Sequence, residues 1–186
     1  MLKVIVAIVL TVAAIGGVIA LIGSRLPVAH VVTRSIEISA PVEVVFGTVT
    51  DFGAAPSWRP DLRSLSVATD SATGRQRITE VSSSGTMTME VEQLVPPTRL
   101  VTRIVGEALP FGGAWAYALQ PQGSSTRVTI TEHGEVYNPI FRFMSRYIMG
   151  HAGTLESYLT SLGTKFGQAV VPVEGKTVGL SGPVAR

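Results

Sequence analysis

The chain has 186 residues, a formal net charge of +2 and no cysteine; 46% of its side chains are hydrophobic and 15% charged. That length holds one domain with a real core plus extra segments, and a cysteine-free chain makes neither disulfides nor thiolates. The basic surplus does not point to nucleic acid: residues 31–168 carry 11 basic against 12 acidic side chains, so the excess sits in the termini and no stripe for phosphates exists.

The excess of apolar residues is local. Val4–Ile22, "VIVAIVLTVAAIGGVIALI", has no charge; as a helix it rises about 28 Å, close to the hydrocarbon thickness of a bilayer. It reads as an uncleaved membrane span rather than a signal peptide, because the apolar run exceeds the roughly 7–15 residues of a signal core and "SRLPVAH" offers no Ala-x-Ala site. Lys3 precedes it and Arg25 and Arg34 follow, so the flanking charges leave open which side the domain faces. Gly16, Ala20 and Ser24 recur every four residues, a small-residue face suited to a weak homodimer.

A linker, Gly23–Val28, leads to "VVTRSIEIS", whose alternation predicts a strand with Ile36 and Ile38 on one face. Pro41 suits a first helical position, with Val44, Val45, Thr48 and Val49 as the buried face and Asp51 and Gly53 as the stop. Six strands should follow as a meander: "LRSLSVAT", "RQRITEVSS", "TMTMEVEQL", "RLVTRIVGE", "GAWAYALQ" and "STRVTITEHGEV", separated by turn residues such as Pro96-Pro97 and Gln122-Gly123. From Asn138 to Gln168 the period changes to three or four. Ile140, Met144, Ile148, His151, Leu155, Tyr158, Leu162 and Phe166 form one stripe of a helix about eight turns long, with Asn138 as N-cap. The tail from Ala169 has glycines and prolines without period and reads as mostly disordered. The expected units are residues 1–29 as anchor and linker, 30–168 as the domain, and 169–186 as the tail.

In this order and spacing, "IEISAPVEVVFGTVTDFGAAPSWRPDL", "LVPPTRLV" and the long last helix resemble the SRPBCC superfamily, also called START-like or polyketide cyclase/dehydrase-like, over about Val32–Gly167. The resemblance implies an α+β helix-grip fold: a curved antiparallel sheet of about seven strands around the C-terminal helix, two short helices plugging one end, and a cavity between sheet and helix. It leaves the activity open, since such a fold hosts cyclases, dehydratases, hydrolases, lipid carriers and binding proteins.

Parity and helical spacing aim Met87, Met89, Trp115, Tyr117, Met144, Ile148 and His151 at that cavity, and Trp58 either caps the fold or lines the cavity mouth. Methionine suits a wall that adapts to a flexible apolar ligand. The expected cavity is about 300–1,000 Å³, as for small-molecule sites. Acid-base candidates are His133, Glu135 and His151, with Tyr137 beside them. Arg99, Arg103 and Glu107 could orient a polar head group, although alternating charge usually marks the solvent face. His30, His133 and His151 lack metal-ligand spacing, "FGGAW" has no helix behind it to cradle phosphate, and no cofactor is expected. The leading expectation is membrane-anchored binding of a hydrophobic small molecule or lipid; the alternatives are a cyclase, dehydratase or hydrolase in the same cavity, and a groove that holds a partner protein.

Overall fold

A computed structural model describes residues 1–83, 85–106 and 109–181. The N-terminal run forms a single helix, α1 (Leu2–Arg25), with mean hydropathy 2.9 over its most apolar stretch, long and apolar enough to cross a membrane. The helix continues through Gly23 and Arg25, so the expected linker shrinks to Leu26–Val28. Gly23 is the buried residue of α1. Of the small-residue face, Gly16 and Ala20 are half-buried and Ser24 is exposed, the Ser24 hydroxyl donating to the Leu21 carbonyl at 2.7 Å.

The domain opens with β1 (Ala29–Ile38) and α2 (Val42–Thr50). Pro41 is the N-cap of α2, one residue earlier than expected; its carbonyl accepts from Val44 N and Val45 N. The buried face of α2 is Val42, Val45, Phe46 and Val49, at the i, i+3, i+4, i+7 spacing of a helix. Val44 is exposed, because it falls about 100° off that stripe. Asp51 ends α2 and caps a 3-10 turn, Phe52–Ser57, by accepting from Ala54 N at 3.2 Å.

The meander follows as β2 (Leu62–Thr69), β3 (Gln76–Ser82), β4 (Gly85–Val95), β5 (Arg99–Val105), β6 (Phe111–Gln122) and β7 (Ser125–Val136). All pairs are antiparallel, and β7 returns to pair with β1 along its whole length. A short β8 (Val173–Glu174) closes the edge, giving the order β2-β3-β4-β5-β6-β7-β1-β8. The concave face holds Ile36, Ile38, Ile78, Leu100, Leu119, Val128 and Ile130, which pack against Leu155, Tyr158, Leu159 and Leu162 of the last helix. This is the helix-grip arrangement.

Two features differ from the sequence reading. The long helix is interrupted. It divides into α3 (Pro139–Met144), a wider π-type turn (Ser145–Met149), and α4 (Gly153–Lys165), with Gly150 at φ +74 between them. Glycine adopts that conformation without a Cβ penalty, so the break is placed by Gly150. Asn138 does cap α3, accepting from Ile140 N and Phe141 N.

The tail, expected to be mostly disordered, lies along the convex face as far as it is described. β8 pairs with Arg34 and Ser35, Val178 N donates to Thr131 Oγ1, and the Gly179 carbonyl accepts from Arg99 Nη2. Beneath it, hydroxyl pairs Thr33–Thr131 and Ser35–Thr129, each 2.8 Å, join β1 to β7. These polar side chains are 8% exposed or less, which the tail makes possible by covering them and supplying backbone partners.

Candidate functional site

Between the concave sheet and the α3–α4 segment lies a cavity of about 520 Å³. Its apolar wall comes from alternate residues of adjacent strands: Met87 and Met89 on β4, Ile104 on β5, Trp115 and Tyr117 on β6. Strand parity places these side chains on one face, and the curl of the sheet brings them around a common space. Phe111, Phe141 and Met149 also border it and are 41–59% exposed, which marks where the cavity meets the surface, and His151 stands in the break between the π-type turn and α4.

Met144 and Ile148 do not border the cavity. Ile148 is 64% exposed, and the positions facing inward are Phe141, Ser145 and Met149. The stripe is displaced by one residue before Gly150 and keeps its expected positions after it, at His151, Leu155, Tyr158 and Leu162, because the break at Gly150 separates the segment from α4. Trp58 is buried and caps the fold: its ring meets Tyr158 edge-on at 5.4 Å, and it borders a small internal void rather than the main cavity.

Two polar clusters are set into the apolar wall. In the first, His30 Nε2 lies 3.0 Å from Glu132 Oε1, and Trp115 Nε1 donates to Glu132 Oε2 at 3.1 Å. A bond to a carboxylate requires the proton on Nε2, so Nδ1 of neutral His30 is the acceptor; it is buried and without a partner among the described residues. The His30 ring stacks on His151, centroids 3.9 Å apart. Burial, and then the neighbouring His30, lower the pKa of His151. Room for this stack exists because His30 pairs with Gly134, where a Cβ would collide with the imidazole.

The second cluster is Arg59, Glu80, Tyr117 and Tyr158. Arg59 reaches both Glu80 oxygens and donates to Asp61 at 2.8 Å, while its guanidinium lies 5.3 Å from the Tyr158 ring centroid. Burial works against the charge on Arg59, but Glu80 and Asp61 outweigh it and its pKa is raised. Burial raises both tyrosines as well, which keeps their hydroxyls neutral donors. The cavity therefore offers a long apolar wall, a carboxylate–imidazole pair and a neutralised buried cation.

The sequence candidates His133 and Glu135 separate from this chemistry. His133 lies on the convex face, where Nε2 is 2.8 Å from the Val178 carbonyl. Glu135 borders the cavity and accepts from the Tyr137 hydroxyl at 2.6 Å. Arg99 lies under the tail and donates to Gln93, and Arg103 pairs with Glu92; neither borders the cavity. Glu107 lies outside the described residues. The residues overlooked in sequence, Glu80 and Glu132, had left a signal: Glu132 continues the parity of Val128 and Ile130, and Glu80 that of Ile78. A carboxylate in phase with an apolar face is turned toward the interior, where Glu80 is buried and Glu132 half-buried.

The architecture is shared widely. A START superfamily protein from Mycobacterium smegmatis is 19% identical, with a TM-score of 0.58 over 74% of this chain and 97% of its own. Truncated norcoclaurine synthase from Thalictrum flavum is 10% identical, with a TM-score of 0.59 over 74% and 93%. A hypothetical protein from Helicobacter pylori is 12% identical, with a TM-score of 0.60 over 73% and 87%. These likenesses concern the fold alone. No curated protein matches the chain. The profile described as polyketide cyclase / dehydrase and lipid transport matches residues 29–163, which run from the first residue of β1 into the last turns of α4 and so include every strand around the cavity. By that match, over most of its length, the chain belongs to this polyketide cyclase/dehydrase and lipid transport family.

Proposed function

We propose that the protein binds a hydrophobic small molecule or lipid in the cavity while α1 anchors it in a membrane. The observation that carries this reading is the cavity itself: about 520 Å³ within a sheet that otherwise packs closely on α4. Interiors rarely keep voids larger than a water molecule, so a space of this size walled by Met87, Met89, Ile104 and Trp115 is suited to a guest. Methionine side chains adapt to ligands of variable shape. The two polar clusters suit a ligand with a polar head. An anchor would hold the mouth beside the phase where such molecules concentrate. The full chain in lipid nanodiscs should take up an uncharged apolar fluorophore, such as N-phenyl-1-naphthylamine, saturably and at micromolar concentration. Uptake no greater than that of empty nanodiscs defeats the proposal.

A second reading is favoured by one observation, the half-buried Glu132–His30 pair, whose imidazole stacks on His151. A carboxylate that fixes an imidazole tautomer is an arrangement for moving a proton, so the cavity could serve a cyclisation or dehydration. A His30→Gln variant that binds the fluorophore unchanged but loses turnover of a polyketide-like ketone would favour catalysis; absence of turnover in the unmodified protein across such substrates would leave binding alone.

A further inference from the structure

We infer that the α3 segment and the π-type turn after it form a docking surface for the lipid leaflet, seating the cavity mouth against the bilayer. The inference rests on reading α1 as a membrane span. Three observations lead to it.

The first is a rigid connection. Gly23, one residue beyond the apolar run Val4–Ile22, packs against Pro139 so closely that a Cβ there would overlap the proline carbonyl. Arg142 Nη1 donates to the Leu26 carbonyl at 3.0 Å, tying α3 to the end of α1 a second time. With the apolar run rising about 28 Å, its end lies at the boundary between hydrocarbon and head groups. The start of α3 is held at that level.

The second is what α3 and the turn expose. Ile140, Phe141, Tyr147, Ile148 and Met149 are 48–64% exposed within ten residues, in a domain whose other apolar side chains mostly face the core. A cluster of this kind beside a membrane span matches an interfacial segment, which buries apolar side chains about 5–10 Å into the head-group and acyl boundary. The cations agree: Arg25, the last residue of α1, and Arg146, next to Tyr147, are both exposed, where anionic head groups would meet them, and no acidic residue occurs between Asn138 and Thr154.

The third is continuity with the cavity. Phe141 and Met149 belong both to the exposed patch and to the border of the cavity. Seating the patch in the leaflet would bring the opening to the lipid phase, so that an apolar ligand could pass from bilayer to cavity without crossing water. The displaced stripe acquires a reason here: the residues that the sequence pattern aims at the core, Ile140 and Ile148, are turned toward the leaflet.

Because the chain has no cysteine, single cysteines can carry a nitroxide label without removing others. The full chain would be labelled at Val9, at Ile148 or at Val67 on β2, and placed in vesicles of phosphatidylcholine with a minority of phosphatidylglycerol. Collision with oxygen and with a water-soluble nickel chelate then reports depth. Labels at Val9 and Ile148 should both collide preferentially with oxygen, and the Val67 label with the chelate. Tyr147 serves as a second docking position should Ile148→Cys fail to fold. If Val9 is in the acyl region but both docking labels favour the chelate, docking is overturned while the anchor stands. If Val9 itself favours the chelate, the anchor fails and docking fails with it; ligand uptake by the cavity remains a separate measurement in either case.

Discussion

Met89→Trp distinguishes an open binding cavity from a close-packed core. Met89 sits mid-sheet, opposite Ile78 on β3 and Ile104 on β5, with its side chain on the cavity wall. Were the interior filled, the larger indole would force neighbours off their rotamers at a cost of about 1–3 kcal/mol. Entering a space of about 520 Å³, it meets no such resistance, and the folded state should lose less than about 1 kcal/mol. A ligand is affected in the opposite sense. If the indole displaces about 80 Å² of ligand contact, about 25 cal/mol per Å² gives a loss near 2 kcal/mol, roughly thirtyfold in Kd. The assay is fluorophore titration of the full chain in nanodiscs, with thermal melts in parallel and Val67→Trp as a control that adds an indole away from the cavity. Unfolding of Met89→Trp in a protein whose unmodified form never bound the probe would show a close-packed interior and end the ligand-binding reading. Unchanged affinity in a stable variant would place the ligand elsewhere.

Two further outcomes test the polar clusters. Glu80→Gln leaves Arg59, whose side chain is 12% exposed, with only the more exposed Asp61 as a charged partner. Breaking a buried pair costs about 3–5 kcal/mol, and the remaining Asp61 should reduce this to about 2–3 kcal/mol, read as a lower Tm; a loss below about 0.5 kcal/mol would mean the pair behaves as an exposed one. For His151, the folded state favours the neutral ring, through burial and then the repulsion of His30 and Arg146 against the attraction of Glu132. The unfolded chain therefore binds more protons as pH falls below about 6.5, so this contribution to stability is full above that pH and declines as pH drops. His151→Phe should flatten the dependence of Tm on pH between about 7 and 5; an unchanged slope would remove His151 from that role.

The strands and the apolar helix are legible from the residues because they depend on near neighbours. Alternation along "TMTMEVEQL" fixes which side chains share a face, and Met87 and Met89 do reach the cavity wall as parity requires. The apolar run Val4–Ile22 likewise forms its helix from composition alone. Helical period failed at Met144 and Ile148 because Gly150 uncouples that segment from α4, and α3 instead follows its contact with α1. Local pattern also gave the tail nothing to hold it; its partners are Thr131, Arg99 and the edge of β1, all distant in the chain. The same limit applies to the site. In sequence His30 and Glu132 are 102 positions apart, and only the pairing of β1 with β7 brings imidazole and carboxylate within 3.0 Å. Periodicity determined which faces are apolar, because it is a property of successive residues; which faces meet, what covers the convex side and where the cavity opens were decided by contacts between distant segments, which no local pattern encodes.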